Sequence, residues 1–229
     1  MANEILSYLE MCQREKMSLQ RGMNFRAGDN YSIILMSQRT NAPYRDRIED
    51  DGTTLIYEGH DEPKRNDLPD PKKVDQPAVT NRGTLTENGK FARAAEQFKR
   101  REGRAERVRV YEKIRTGIWS YNGLFHLVDS WVETDGRREV FKFKLVAVDD
   151  ETFTSDQQSG DLESTRLIPS AVKVAVWRRD GGKCVRCGAT DNLHFDHVIP
   201  YAKGGTSLRA ENIQLLCARH NLAKRDRIE

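Results

Sequence analysis

Of 229 residues, 37% are hydrophobic and 32% charged, with a formal net charge of +3; this is apolar mass for one or two packed cores under a heavily solvated surface. No apolar run approaches the ~20 residues that span a bilayer and the N-terminus lacks the basic-then-apolar pattern of a signal peptide, which excludes a membrane protein and makes a cytoplasmic location the default. Three of the four cysteines fall in one C-terminal pattern and Cys12 stands alone, an arrangement that argues against a disulfide framework. From Arg166 onward 12 Lys+Arg face 6 Asp+Glu, so the basic excess sits at the C-terminal end. Such asymmetry favours a polyanionic partner, nucleic acid first among them, although a solvated basic face would look the same.

In chain order, Ile5, Leu6, Leu9 and Cys12 have helix-like spacing, predicting an amphipathic helix within residues 3–19. Residues 31–36 read as a buried strand and residues 53–58 as a second. Between them lies a polar stretch with Tyr44 and Asp46. Residues 62–83 hold four of the seven prolines and read as a long loop. Thr86 is placed to cap a helix running to about Arg100, with Phe91, Ala94, Ala95 and Phe98 on one stripe. Three strands follow, at 108–114, 124–132 and 140–148; in the last, Phe141, Phe143 and Leu145 alternate with Lys142 and Lys144. A curved sheet or barrel with one or two helices is the economical architecture. Residues 149–165 then turn to Asp, Glu, Ser, Thr and Gln, the composition of a linker. The chain therefore divides into residues 1–150, a linker over 151–166, and a module over 167–229. Pro169 opens a further helix, ended by Gly181 and Gly182.

Two chemistries interleave in residues 184–221. Cys184 and Cys187 form one ligand pair, Cys217 and His220 another, each with two intervening residues. Four such donors suit tetrahedral Zn²⁺ with no open position, the mark of a structural site, and a module of about 60 residues benefits from such a staple. A second set, Asp196, His197, Asn212 and Asn221, is superfluous to zinc and is where reaction chemistry is expected. Asp196 and His197 on one strand point to opposite faces, so the strand must bend or end there. Asn212 and Asn221 lie nine apart on what reads as a helical segment, and share a cavity only if it breaks. His194 reads equally as a phosphate contact, a support for the site or a plain sheet histidine.

The order Cys-x-x-Cys, Asp-His-Val-Ile-Pro, Gly-Gly, Glu-Asn-Ile-Gln-Leu-Leu-Cys and His-Asn-x-x-Lys resembles the zinc-bearing branch of the HNH nuclease family. That resemblance implies a ββα-metal module in which His197 is the general base. It makes Asp196 and Asn221 ligands of a catalytic Mg²⁺ or Mn²⁺, and Asn212 the residue that orients the histidine or its loop. An asparagine stands where some members have the final histidine, and His220 stands for the commoner fourth cysteine.

Upstream, Tyr31-Ser-Ile-Ile-Leu, Tyr57-Glu-Gly, Leu85-Thr-Glu-Asn, Val108-Arg-Val-Tyr, Tyr121-Asn-Gly and Val140-Phe-Lys-Phe-Lys-Leu resemble, in that order, the SRA (YDG) domain, with Asn122 in place of its aspartate. This implies an SRA-like curved β-barrel with helices, an α+β chain overall, and a pocket for an extruded modified base between Tyr57 and Tyr44, with Asp46 on its polar edge. Eight Lys/Arg against three Asp/Glu across residues 99–115 suit a DNA backbone. The pairing of modules resembles bacterial modification-dependent restriction endonucleases. It implies a bacterial cytoplasmic enzyme cutting double-stranded DNA that carries 5-methylcytosine or 5-hydroxymethylcytosine, with a double-strand break requiring a homodimer or sequential visits. The alternatives are an HNH endonuclease for an unmodified sequence and a non-catalytic zinc-stabilised DNA reader.

Overall fold

The computed structural model describes residues 3–28, 30–49, 52–64, 66, 68, 70–148, 167–225 and 227–228. Ten strands form one sheet: β1 (Glu4–Ser7), β2 (Met23–Gly28), β3 (Tyr31–Met36), β4 (Arg47–Ile48), β5 (Thr54–Glu58), β6 (Glu106–Arg115), β7 (Ile118–Thr134), β8 (Glu139–Val148), β9 (Leu193–His197) and β10 (Ile213–Cys217). Among the described residues four α-helices accompany them: α1 (Tyr8–Glu15), α2 (Glu87–Lys99), α3 (Ser170–Arg179) and α4 (Ala218–Lys224). The main path runs β10-β9-β1-β7-β6-β3-β2; β8 joins β7 to β5, and β4 lies on β5. Among the described strands only β3 and β6 pair in parallel. The class is α+β, as expected. Among the described residues no helix is long and apolar enough to cross a membrane, and the linker expected over 151–166 lies outside them.

The first predicted helix starts later than its periodicity suggests. Ser7 and Glu10 form a reciprocal capping box that begins α1 at Tyr8, and the four residues before it pair as β1 with β7 on one side and β9 on the other. Strand alternation then sends Ile5 into the C-terminal core with Val176, Phe195 and Leu215, and Leu6 into a core with Met11, Tyr111 and Trp119. A helix over these residues would have put both on one stripe. This short strand is what fuses the C-terminal ββ unit to the N-terminal sheet.

Thr86 caps α2 by accepting from the Gly89 N–H at 3.1 Å, and Phe91, Ala94 and Ala95 bury the predicted stripe against Phe125, Phe143 and Leu145. Burying each large side chain contributes about 1.5–3 kcal/mol. The proline-rich loop is tied down where it is described. The buried Arg138 guanidinium donates to the Pro71 and Val74 carbonyls at 3.0 and 3.1 Å and pairs with Asp61 at 2.5 Å, and the Gln76 amide bonds the Gly59 carbonyl at 2.7 Å.

Where α3 meets the sheet, the contact is polar and dry. Lys173 and Glu112 are both fully buried and pair at 2.7 Å, and the Lys173 ammonium also donates to Asn122 Oδ1 at 2.6 Å. Asn122 is presented there by a bulge: β6 and β7 pair Val110 with Gly123 and then Tyr111 with Tyr121, leaving Asn122 as the extra residue beside a glycine at φ 102°. Ser170 donates to Gln38 Oε1 at 2.6 Å and is bonded to Glu112 as well. The asparagine that replaces the aspartate of the Tyr-Asp-Gly motif has a physical reason here. With Glu112 already facing Lys173, a second carboxylate would leave a buried net negative charge. Lys173→Met should destabilise the chain by about 3–5 kcal/mol, because it strands the buried Glu112 charge, while adding Glu112→Leu should recover most of that loss; urea denaturation of wild type, single and double variants measures both.

Candidate base pocket and candidate nuclease centre

The candidate pocket opens between the segment after β3 and the end of β5. Gln20, Tyr44, Asp46, His60, Lys113 and Trp119 are among the residues that line a cavity of about 550 Å³. Tyr44 stacks on His60 at 4.8 Å between ring centres and 10° between planes, with the Lys72 ammonium 4.2 Å from the Tyr44 ring centre. Tyr57 is fully buried, belongs to the core beneath and is not among the cavity-lining residues. Its ring centre lies 6.1 Å from that of His60, and its hydroxyl bonds His60 Nε2 at 2.9 Å and the Gly22 carbonyl at 3.2 Å. The structure thus brings Tyr44 and Asp46 to one cavity and sets a histidine against both expected tyrosines. Sequence reasoning missed His60. Its signal was the Tyr57-Glu-Gly-His run, which places it three residues past the strand tyrosine.

The backbone of His60 is held and its ring is packed closely. Asn88 at the start of α2 accepts from the His60 N–H and donates to its carbonyl, both at 2.8 Å, and a Cβ on Gly22 would fall 2.6 Å from the ring, so a larger residue there would require the imidazole to shift. Burial pushes His60 down to about 4, leaving the ring neutral at physiological pH. Asp46 accepts from the Ser37 and Glu58 N–H groups at 3.0 and 3.1 Å. Burial nonetheless pushes its carboxyl up to about 7; those two N–H donors lower it and the nearby Glu58 charge raises it. Between 3.8 and about 7 the folded chain therefore holds a proton that the unfolded chain has lost, so stability falls as pH rises through that window. Asp46→Asn should remove this contribution to the slope, read from denaturation midpoints across the same pH range; an unchanged slope would contradict the assignment.

The second site is built on β9, β10 and α4, two antiparallel strands and a helix. The expected helical segment between Asn212 and Asn221 is instead a short turn, Ala210–Asn212, followed by β10 and then α4. β10 supplies the break, because its apolar Ile213, Leu215 and Leu216 must pair with β9 to close the small core. Asn212 pins the loop after His197: it accepts from the Ile199 N–H at 2.8 Å and donates to the Ile199 and Thr206 carbonyls at 3.0 and 2.9 Å. His197, at the end of β9, bonds Ser207 through Nε2 at 2.9 Å. Burial lowers its pKa, with Asp196 raising it and Lys224 lowering it. Lys224, itself buried, lies 3.0 Å from Asp196 Oδ2 and donates to the His197 carbonyl at 2.5 Å, so the lysine of His-Asn-x-x-Lys is structural glue for the β9 end. Gln214 also reaches Asp196 at 3.3 Å. Asn221 lies on α4. The carboxylate and amide oxygens of Asp196 and Asn221 are hard donors of the type that suits Mg²⁺ or Mn²⁺. His194 is buried on β9, and its Nδ1 has no hydrogen-bond partner among the described residues.

Cys184, Cys187, Cys217 and His220 converge, with their ligand atoms all within 4.8 Å of one another. Cys187 and Cys217 sulfurs are 3.8 Å apart, and His220 Nδ1 is 3.4 Å from the sulfurs of Cys184 and Cys217. A tetrahedron with Zn–S bonds of about 2.3 Å and Zn–N of about 2.0 Å has S···S edges near ~3.8 Å and S···N edges near ~3.5 Å, so this donor set fits a closed zinc site. The Cys184 thiol is drawn down to about 6: burial raises it, but the N–H groups of Cys217, Arg186 and Cys187 and the His220 side chain together lower it more. Such a thiol is readily the thiolate a metal needs.

Residues 8–151 match the SAD/SRA domain. The chain belongs to the SAD/SRA domain family. Residues 184–227 match the HNH endonuclease family, so this SRA chain also carries an HNH domain. No curated protein matches it. Among solved structures, it is similar to the SUVH5 SRA domain in complex with hemi-methylated CG DNA, at 23% identity and TM-score 0.43 over 64% of this chain and 87% of that one. It is also similar to the same domain bound to fully hydroxymethylated CG DNA, at 24% identity and TM-score 0.41 over 61% and 81%. A third likeness is to the Type IV phosphorothioation-dependent restriction endonuclease ScoMcrA, at 17% identity and TM-score 0.43, over 98% of this chain and 59% of that chain. Cys187→Ala should abolish stoichiometric zinc, about one ion per chain in the wild type, and lower the melting temperature; elemental analysis and thermal melting report both without reference to activity.

Proposed function

We propose that this chain is a modification-dependent DNA endonuclease of the bacterial cytoplasm. In this reading residues 1–150 read a modified cytosine in double-stranded DNA and residues 167–229 hydrolyse a nearby phosphodiester. The observation that carries the reading is the joining, through one sheet, of an SRA domain with an aromatic cavity and an HNH ββα unit with a histidine at its strand end.

In this reading an extruded 5-methylcytosine or 5-hydroxymethylcytosine stacks on the face of Tyr44. A planar base needs about 3.5 Å on each side, and the Tyr44–His60 separation of 4.8 Å leaves no room for one. The base therefore displaces the imidazole, and Tyr57 behind it becomes the second face. Stacking at about 1–3 kcal/mol per base offsets the few kcal/mol that extrusion costs, with Asp46 on the polar edge of the base.

In the nuclease unit, Ser207 holds His197 Nε2, and the other ring nitrogen takes a proton from the attacking water. Asn212 keeps the loop after the histidine in place. A divalent ion held by Asp196 and Asn221, when bound, supplies charge stabilisation to the pentacovalent phosphorane and the leaving oxygen. Cys184, Cys187, Cys217 and His220 would hold zinc, which would fix the start of α4 and so the position of Asn221.

Matched plasmids with and without cytosine methylation, incubated with Mg²⁺ or Mn²⁺, test the reading. The methylated plasmid should be cut and the unmethylated one spared, and His197→Ala should cut about 10²–10⁴-fold more slowly while retaining affinity for methylated duplex. Equal cutting of both plasmids would instead mark an endonuclease for an unmodified sequence, and binding with no cutting would mark a zinc-stabilised reader.

A further inference from the structure

A groove of about 740 Å³ lies where α3 crosses the N-terminal sheet, walled by residues 38–41 and 113–116 on one side and by Ser170, Val174 and Arg178 on the other. Four cations line it, Arg39, Lys113, Arg115 and Arg178, and no acidic residue does. Three of them, Arg39, Arg115 and Arg178, are exposed, and among the described residues none of the four has a carboxylate partner. Several cations elsewhere on the surface, Arg14, Arg47, Lys72, Lys99, Arg100 and Arg179, each meet an acid within 4.0 Å. Concentrating unpaired positive charge in a concave site raises the local potential and attracts a polyanion.

The groove is also continuous with the candidate base pocket. Lys113 lines both, and Lys113 lies over Trp119 of the pocket at 5.6 Å from its ring centre. At its other end α3 reaches the nuclease turn, where Arg179 donates to the Ala210 and Ile213 carbonyls at 2.7 and 2.6 Å, on either side of Asn212. Both modules contribute walls, and the buried Lys173–Glu112 pair joins them.

We propose that this groove is the track for the sugar-phosphate backbone of the DNA flank between the extruded base and the nuclease unit, with Arg39, Lys113, Arg115 and Arg178 contacting phosphates. The proposal rests on the DNA-endonuclease reading above and assigns it a further binding surface. Backbone contacts orient the duplex and carry no sequence information, so these residues set affinity and register while the pocket sets preference. Each phosphate neutralised contributes about −0.9 to the slope of log affinity against log salt for B-DNA.

The test measures binding of the full-length chain to a fluorescent duplex with one central 5-methylcytosine, and to its unmethylated twin, by anisotropy across a salt series without Mg²⁺. Arg39→Gln/Arg115→Gln/Arg178→Gln should flatten the salt slope by about 2–3 and weaken both duplexes alike, leaving the ratio between them unchanged. Each single substitution should flatten the slope by about 1, which keeps the test valid if the triple variant fails to fold. On a duplex too short to extend beyond the base pocket, wild type and variant should bind alike. A variant with the wild-type slope and affinity overturns the track. So does an equal deficit on the short duplex, which would place the cations elsewhere on the DNA. A wild type that binds both duplexes equally while the variant loses slope refutes the modified-base reading and leaves the track standing.

Discussion

One buried ion pair governs how this molecule is put together. Lys173 and Glu112 carry opposite charges with no access to water, a state that is tolerable only when both are paired and hydrogen-bonded. Asn122 and Ser170 supply those further bonds. Two of the four groups, Glu112 and Asn122, come from the N-terminal sheet and two, Lys173 and Ser170, from α3. A hydrophobic contact would tolerate sliding of α3 over β6; this one specifies a single placement. Buried polar networks of this sort give more in uniqueness than in net stability.

That placement propagates in two directions. Toward the N-terminal side, Ser170 reaches Gln38, whose amide lies 3.4 Å from the Asp46 carbonyl, so the wall of the aromatic cavity is two hydrogen bonds from α3. Toward the C-terminal side, α3 packs Val172 and Val176 on β9 and β10, and β1 joins β9 to β7 through main-chain pairing. Cavity and nuclease unit are thereby referenced to the same strands. The SRA and HNH domains are thus tied together by side-chain and main-chain contacts at once.

Within each site, the local rule is that a polar group is spent on holding another in place. Asn88 is used on the backbone of His60 and on the Pro77 carbonyl, Asn212 wholly on the loop after His197, and Lys224 on Asp196 and the β9 carbonyl end. The four zinc-type ligands extend the same logic to the helix that bears Asn221.

Much of this was legible in the sequence. The strand over residues 140–148, the Thr86 cap and the two ligand pairs are short-range patterns, enforced by backbone geometry within a few residues, and each appears where expected, except that Lys142 is buried against Glu58 and not on a solvated face. The sequence by itself determined which residue types could bind metal, activate water or stack on a base. Tertiary structure decided what stands next to what. Residues 4–7 have helical spacing yet form a strand, because β7 and β9 offer it main-chain partners. Asn212 and Asn221 are separated by a strand because β10 must pair with β9. His60 lies against Tyr44 and Tyr57, and Lys173 lies beside Glu112, through contacts between distant segments, and no local periodicity encodes those. Propensity acts over a turn or two of chain, whereas burial and charge pairing act across whatever the fold brings together.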